Sequence, residues 1–189
     1  MMWEPNMSER PATRNTERTR RAILDAAADL LLRKGGSVTV ADVATEAKVS
    51  KSGLLHHFSS RDALLLEVLR DLQARLEAEV QANLDLSENC PGKMLRAYVR
   101  TLCLSGSDLP GFLSAMPFWI GLEGVPGASE LEREHQNWLS KQFLADGFDP
   151  TLARIVRRAS EGLASGRACG DESDDDVRHA GDELIRMTL

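Results

Sequence analysis

Residues 38–58 contain two short amphipathic segments joined by a tight turn, and this arrangement restricts the fold more than any other part of the chain. Thr39 is a good N-cap for the first segment, because its hydroxyl can accept an unpaired backbone N–H. Its apolar positions recur at helical spacing: Val40, Val43, Ala44 and Ala47. Ser50 can cap the second segment, whose apolar positions are Leu54, Leu55 and Phe58. Because a small Ala-rich face lets two helices cross closely, the sequence predicts a helix-turn-helix.

The second predicted helix has a polar outer face that suits DNA. Its members are short, polar or cationic, and none is an acid: Lys51, Ser52, Gly53, His56 and His57. Such side chains can meet phosphate oxygens and base edges in the major groove. An ordinary helical hairpin with a solvated polar face is the alternative interpretation of this segment alone.

Residues 40–69 resemble the tetracycline-repressor (TetR) family of transcriptional regulators, and with the preceding helix the resemblance covers about residues 16–69. The order and spacing of about ten positions carry it: Val49, Ser50, Lys51, Leu55, His56, His57, Phe58, Arg61, Asp62 and Leu64. Two of these depart from the family pattern. His56 stands where the family usually has Tyr, and Arg61 where it usually has Lys.

The helix-turn-helix and the resemblance together predict a DNA-contacting set: Thr39, Val40, Ser50, Lys51, Ser52, Gly53, Leu54, His56, His57 and Arg61. Lys51 is expected to contact phosphate or a guanine edge, and Thr39 and His56 to contact phosphate. Ser52 and Gly53 lack bulky side chains and permit a close approach to bases. Arg61 is expected to hold a further phosphate, as the family's Lys does.

The resemblance implies an all-α homodimer that binds a palindromic DNA operator. The expected architecture is a three-helix headpiece (residues 16–62) that a long helix joins to a C-terminal ligand-binding and dimerisation bundle (63–189), about nine helices in all. A disordered basic arm (1–15) would precede the headpiece and reach DNA, or form a solvated tail. The last two helices would form the dimer interface, with an outward apolar face on the helix from residue 149. The predicted interface residues are Leu152, Ile155, Val156, Ala159, Leu163, Val177 and Leu184.

A small-molecule pocket is predicted where aromatic residues and Met concentrate, between the fifth and seventh predicted helices. The expected lining is Met94, Tyr98, Leu102, Phe112, Met116, Phe118, Trp119, His135 and Trp138. Because residues 109–122 carry no charge, the expected ligand is small and apolar, neutral or weakly polar, with His135 or Tyr98 supplying a hydrogen bond. The alternative is that these aromatics simply fill the core of the bundle.

Composition is consistent with DNA binding at one end of the chain. The net charge is −6, yet residues 1–62 hold ten Lys/Arg against eight Asp/Glu, and residues 63–189 hold thirteen against twenty-one. The positive part contains the helix-turn-helix. Cys90, Cys103 and Cys169 have wide spacing, which suits a reducing compartment. With no signal-peptide pattern and no apolar run long enough to span a bilayer, the sequence predicts a soluble cytoplasmic protein and no membrane partner.

The sequence favours a regulator over an enzyme. It contains no dinucleotide fingerprint, P-loop, zinc-protease helix or nucleophile elbow, and no cofactor or metal is expected. His56 and His57 are adjacent, so on a helix they diverge and make a poor metal pair. The predicted function is a transcriptional repressor that a small apolar ligand releases from its operator. The alternative is a helix-turn-helix regulator without a small ligand, controlled by a protein partner or constitutive.

Overall fold

The computed structural model describes residues 10–107 and 109–189, and the side chains of residues 15–107, 109–111 and 113–189. These residues form ten α-helices and no strand. They are α1 (Arg10–Lys34), α2 (Val40–Glu46), α3 (Lys51–His57), α4 (Arg61–Ala82), α5 (Lys93–Val99), α6 (Leu109–Ser114), α7 (Met116–Leu122), α8 (Ala128–Ala145), α9 (Pro150–Cys169) and α10 (Asp174–Arg186). The all-α class predicted from the sequence is confirmed.

The headpiece consists of α1, α2 and α3 around a small aliphatic core. Helix α1 begins at Arg10, six residues before the predicted start, so part of the predicted disordered arm is helical; residues 1–9 lie outside the described residues. Its buried stripe packs on the two short helices and consists of Ile23, Leu24, Ala27, Leu30 and Leu31. Gly35 ends the helix with a φ of 55°, a left-handed conformation that glycine adopts without strain.

Helix α4 connects the headpiece to the rest of the molecule. The Ser60 hydroxyl accepts the backbone N–H of Ala63 at 3.0 Å and caps the helix. The buried residues of α4 recur every three or four positions along its 22 residues, which span about 33 Å. Two ion pairs fasten α1 to α4: Arg20 with Glu67 at 2.6 Å and Arg21 with Asp71 at 2.5 Å. The orientation of α4 and the position of the headpiece are therefore coupled.

The C-terminal body packs α5 to α10 against the far half of α4. Helix α5 continues into a π-helical turn at Arg100–Leu104. The apolar segment around Pro117 divides into α6 and α7 at Ala115, as Pro117 at the start of a helix requires. This division raises the number of helices from the nine expected to ten. None of the described helices is both long and apolar enough to cross a bilayer.

A buried arginine ties the start of α5 to the chain's last residues. Arg96 is fully buried, and its guanidinium donates to the Glu88 carboxylate at 2.6 Å. It also donates to the carbonyl oxygens of Pro91 and Thr188, at 2.9 and 2.8 Å. Arg100 forms a second hydrogen bond to Glu88. Burial alone raises the pKa of Glu88, but the hydrogen bonds from Arg100 and Arg96 outweigh it and hold that pKa below its ordinary value.

Candidate nucleic-acid interface and ligand cavity

Side-chain caps fix the two helices of the helix-turn-helix. The Thr39 hydroxyl accepts the backbone N–H of Asp42 at 3.1 Å, and the Asp42 carboxylate accepts the backbone N–H of Thr39 at 3.0 Å, which completes a capping box. The Ser50 hydroxyl accepts the backbone N–H of Gly53 at 3.0 Å. Lys48 makes the turn between the helices with a φ of 56°, a left-handed conformation uncommon for a residue with a side chain.

The outer face of α3 is accessible and carries no acid. Lys51, Ser52 and His56 are exposed, and His57 is half-buried beside Phe58. Lys48 adds an exposed ammonium at the turn that the sequence analysis did not select. Neither Lys48 nor Lys51 forms an ion pair with another described residue, so both charges are available to phosphate.

Three predicted DNA contacts have a different role in the structure. Leu54 is fully buried in the headpiece core and cannot reach DNA, because it points to the inner side of α3. The Arg61 guanidinium donates to the carbonyl oxygens of Val38 and Gly36, at 2.6 and 2.8 Å, and so fastens the start of α4 to the turn after α1. The Thr39 hydroxyl donates to the Asp42 carboxylate at 2.7 Å, so its first role is to cap α2.

We expect Asp42→Asn to lower the melting temperature at neutral pH. Hydrogen bonds from Lys34 and Thr39 lower the pKa of Asp42 to about 2 from an ordinary 3.8. A lowered folded-state pKa means that the stabilisation is fully present above the unfolded pKa and is lost as pH falls through about 2. Circular-dichroism melts should show a wild-type advantage at pH 7 that narrows between pH 4 and pH 2. Asp29→Asn, at an exposed position of α1, is the control; an advantage that does not narrow would contradict the assignment.

A cavity of about 340 Å³ lies between α4, the end of α5, α6, α8 and α9. Ligand cavities in proteins start near this size. Four residues of the predicted pocket line it: Tyr98, Leu102, Trp119 and His135. Leu76 contributes the wall on the α4 side.

Four other predicted pocket residues, whose side chains are described, do not line this cavity. Phe118 is fully buried in the core, and Met116 is exposed to solvent. Met94 is buried elsewhere in the body, and Trp138 stacks behind His135 with ring centroids 6.2 Å apart. The side chain of Phe112 lies outside the described residues. The alternative that aromatics fill the core is thus correct for Phe118.

The cavity wall is more polar than the sequence indicated. It includes Glu132, Gln136, Arg158 and Glu161, from α8 and α9. The Glu161 carboxylate accepts from Arg157 at 2.8 Å, from Arg158 at 2.7 Å and from the Tyr98 hydroxyl at 3.1 Å. Burial, together with Glu161, strongly raises the pKa of Tyr98, so its hydroxyl stays protonated. Arg158 and Glu161 lie far from the predicted lining in sequence, because α9 supplies them; Glu132 and Gln136 flank His135 on α8 but were left out of the predicted lining.

Two polar contacts join the cavity wall to α4. Gln73, which is buried on α4, donates from Nε2 to the Glu132 carboxylate at 2.9 Å. One turn further along α4, the Glu77 carboxylate lies 3.1 Å from Nδ1 of His135. The cavity is therefore connected by hydrogen bonds to the helix that carries the headpiece.

A larger recess of about 960 Å³ lies nearer the headpiece. Its wall includes Leu32 of α1, Cys103 of the π-helical turn, Arg167 near the end of α9 and Arg178 of α10. Arg167 already donates to the carbonyl oxygens of Leu102 and Ser107, both at 3.2 Å. None of the predicted pocket residues with a described side chain lines this recess.

The structure divides the predicted dimer-interface residues into two groups. Val156, Val177 and Leu184 are buried inside the subunit, so they were wrongly assigned to an interface. The others lie on an outward stripe of α9, where Ile155 is 54% exposed and Leu152, Ala159 and Leu163 are half-buried. The predicted interface is thus reduced to this stripe of α9, which has open space beside Gly162.

Both halves of the chain match known families of regulatory proteins. Residues 23–68 match the family described as bacterial regulatory proteins, tetR family. Residues 92–189, about half of the chain, match the family described as tetracyclin repressor-like, C-terminal domain. Over 103 residues the chain is 34% identical to the HTH-type transcriptional regulator BetI of Agrobacterium fabrum. That match spans 53% of this chain and half the length of the curated relative.

Solved structures share the fold over most of the chain. A structure described as a TetR-family transcriptional regulator from Rhodococcus sp. matches with a TM-score of 0.67 at 21% identity, over 90% of this chain and 98% of that one. A transcriptional regulator from Saccharomonospora viridis, solved in complex with choline, matches with a TM-score of 0.70 at 21% identity, over 90% and 96%. At these identities the likeness shows the fold.

Proposed function

Because the chain belongs to the TetR family of bacterial regulatory proteins, we propose that it is a cytoplasmic, dimeric, DNA-binding transcriptional repressor that a small ligand releases from its operator. Family and fold are those of transcriptional regulators and not of enzymes. The observation that carries the proposal is the accessible outer face of α3, which carries no acid, with the ammonium groups of Lys48 and Lys51, neither of which pairs with another described residue.

The contacts within the headpiece support insertion of α3 into the major groove. In this proposal Lys51 and Lys48 meet phosphates, and Ser52 and Gly53 allow bases to approach the start of the helix. Leu54 and Arg61 hold the headpiece together and are not DNA contacts. The helix α3 has seven residues, so it reads only a few base pairs in each half-site.

The cavity beside α4 supports control by a ligand. A molecule between α8, α9 and α4 would change the contacts of Gln73 and Glu77, and thereby the tilt of α4. Because α1 is fastened to α4 by ion pairs, a tilt would move the headpiece and change the distance between the two recognition helices of a dimer. One solved protein of this fold is a complex with choline, and we propose a small-molecule ligand for this chain as well.

We expect Ile155→Glu to separate the dimer and to abolish operator binding. A palindromic site requires two headpieces related by a twofold axis, and a charge in an apolar interface is costly to bury. Sedimentation at micromolar concentration should give a species near the subunit mass of 20.8 kDa, and binding of operator DNA should disappear.

Ile120→Glu is the matched control, because Ile120 is 52% exposed but lies on α7, which packs on α1 and on the turn that follows it. It should remain dimeric and bind DNA. An Ile155→Glu protein that stays dimeric would remove this stripe of α9 from the interface.

A further inference from the structure

Glu132 places a carboxylate at the cavity wall whose hydrogen-bond partners, among the described residues, are amides. Its carboxylate accepts from two amides, Gln73 Nε2 and Gln136 Nε2. Among the described residues, no Lys, Arg or His forms an ion pair with it. Glu161 on the opposite wall differs, because Arg157 and Arg158 both pair with it.

Aromatic residues line the same space. Trp119 donates its indole N–H to the carbonyl oxygen of Leu113 at 2.7 Å, so this N–H is engaged and the ring is the part of the side chain left for a ligand. Tyr98 and His135 also line the cavity, and both rings are held by a carboxylate. A positively charged group is attracted to aromatic faces as well as to a carboxylate, and more strongly where water is excluded.

Other ligand classes fit this wall less well. A neutral apolar molecule would displace water from the Glu132 carboxylate and offset none of its charge, which costs free energy. An anion would meet Glu132 directly, and the arginine at the cavity mouth, Arg158, is already engaged by Glu161 at 2.7 Å. The polar wall therefore favours a charged ligand over the apolar ligand that was expected from the sequence.

We propose that this cavity binds a small organic cation, an ammonium group bearing alkyl substituents, with Glu132 as its charge partner and Trp119 as an aromatic wall. This rests on the proposed function and adds the chemical class of the ligand. The cation also attracts the Glu132 carboxylate, which accepts a hydrogen bond from Gln73. Gln73 is a buried amide on α4, so movement of the carboxylate toward the cation favours a shift of α4 that keeps this hydrogen bond. Binding and movement of α4 are thus coupled through one hydrogen bond.

The test compares two cations with a neutral isostere on the full-length protein. Choline and benzyltrimethylammonium are titrated by calorimetry, alongside 3,3-dimethylbutan-1-ol, in which carbon replaces the nitrogen of choline. We expect at least one cation to bind, with the alcohol about tenfold weaker than choline or undetectable. Glu132→Gln keeps the size of the side chain and should lower the affinity for the cation by about tenfold or more. Glu134→Gln, an exposed acid on the same helix, should bind like the wild type.

Several results would overturn the proposal: no binding of either cation, equal binding of choline and the alcohol, or full retention of cation binding by Glu132→Gln.

Circular-dichroism melts confirm that both variants are folded. DNA binding without any cation is measured separately. Wild-type protein that binds cations but no DNA would reject the proposed function and leave the ligand class intact. DNA binding that ignores bound cation would reject the coupling through Gln73.

Discussion

Replacing Arg96 with alanine is expected to lower the free energy of unfolding by about 3–5 kcal/mol, the range for removal of one partner from a buried ion pair. The guanidinium is fully buried and serves Glu88, Pro91 and Thr188 together. Without it, the carbonyl oxygens of Pro91 and Thr188 lose a donor and Glu88 keeps only Arg100. Urea denaturation at fixed protein concentration measures the loss, since association of subunits also contributes to stability.

Arg133→Ala is the control for an arginine on the surface. Arg133 pairs with Glu130 one turn away on α8, and both side chains are largely exposed. Exposed pairs of this kind contribute about 0–1 kcal/mol. If Arg96→Ala lowered the free energy of unfolding as little as Arg133→Ala, the link between α5 and the end of the chain would not stabilise the fold as described.

Lys51→Glu is expected to weaken binding to every DNA duplex, by about tenfold or more at physiological salt. Each subunit loses a phosphate contact and gains a repelling charge at the start of α3. The slope of log affinity against log salt should flatten by about one unit for each lost contact. Fluorescence anisotropy with a labelled duplex over a series of salt concentrations gives both quantities.

Lys141→Glu changes the net charge by the same amount at an exposed position of α8, far along the chain from the headpiece. It should keep the wild-type slope. If both variants lost affinity equally, the effect would reflect the overall charge of the protein and not a contact of α3. Lys48→Gly removes the second ammonium group. Glycine is chosen because Lys48 has a left-handed backbone conformation, which glycine adopts without strain.

The helix-turn-helix could be predicted from the sequence because its signals are local. The caps at Thr39 and Ser50 each depend on residues within three positions, and both form as expected. The DNA-facing side of α3 could be chosen by composition, but the choice included Leu54, which the three-helix core buries. Helical periodicity alone already placed Leu54 on the apolar face, so this error was avoidable.

The cavity could be predicted only in part, because its wall is assembled by tertiary packing. Aromatic residues near one another in sequence drew attention to Trp119 and His135, which do line it. Glu132 and Glu161 come from two different helices and meet at the cavity only after folding. The role of Arg61 was missed for the same reason, since its acceptors are carbonyl oxygens 23 and 25 positions earlier in the chain.

Selection of DNA from a randomised duplex pool by the protein tests whether it binds DNA through α3 as a twofold dimer. We expect enrichment of a palindrome with two half-sites separated by about one helical turn or a multiple of it, as a twofold dimer with one α3 per half-site requires. Lys51→Glu should fail to retain the enriched duplex under the same conditions, and Lys141→Glu should retain it. Absence of any enriched sequence, or a selected site without twofold symmetry that Lys51→Glu binds as well as the wild type, would contradict the account.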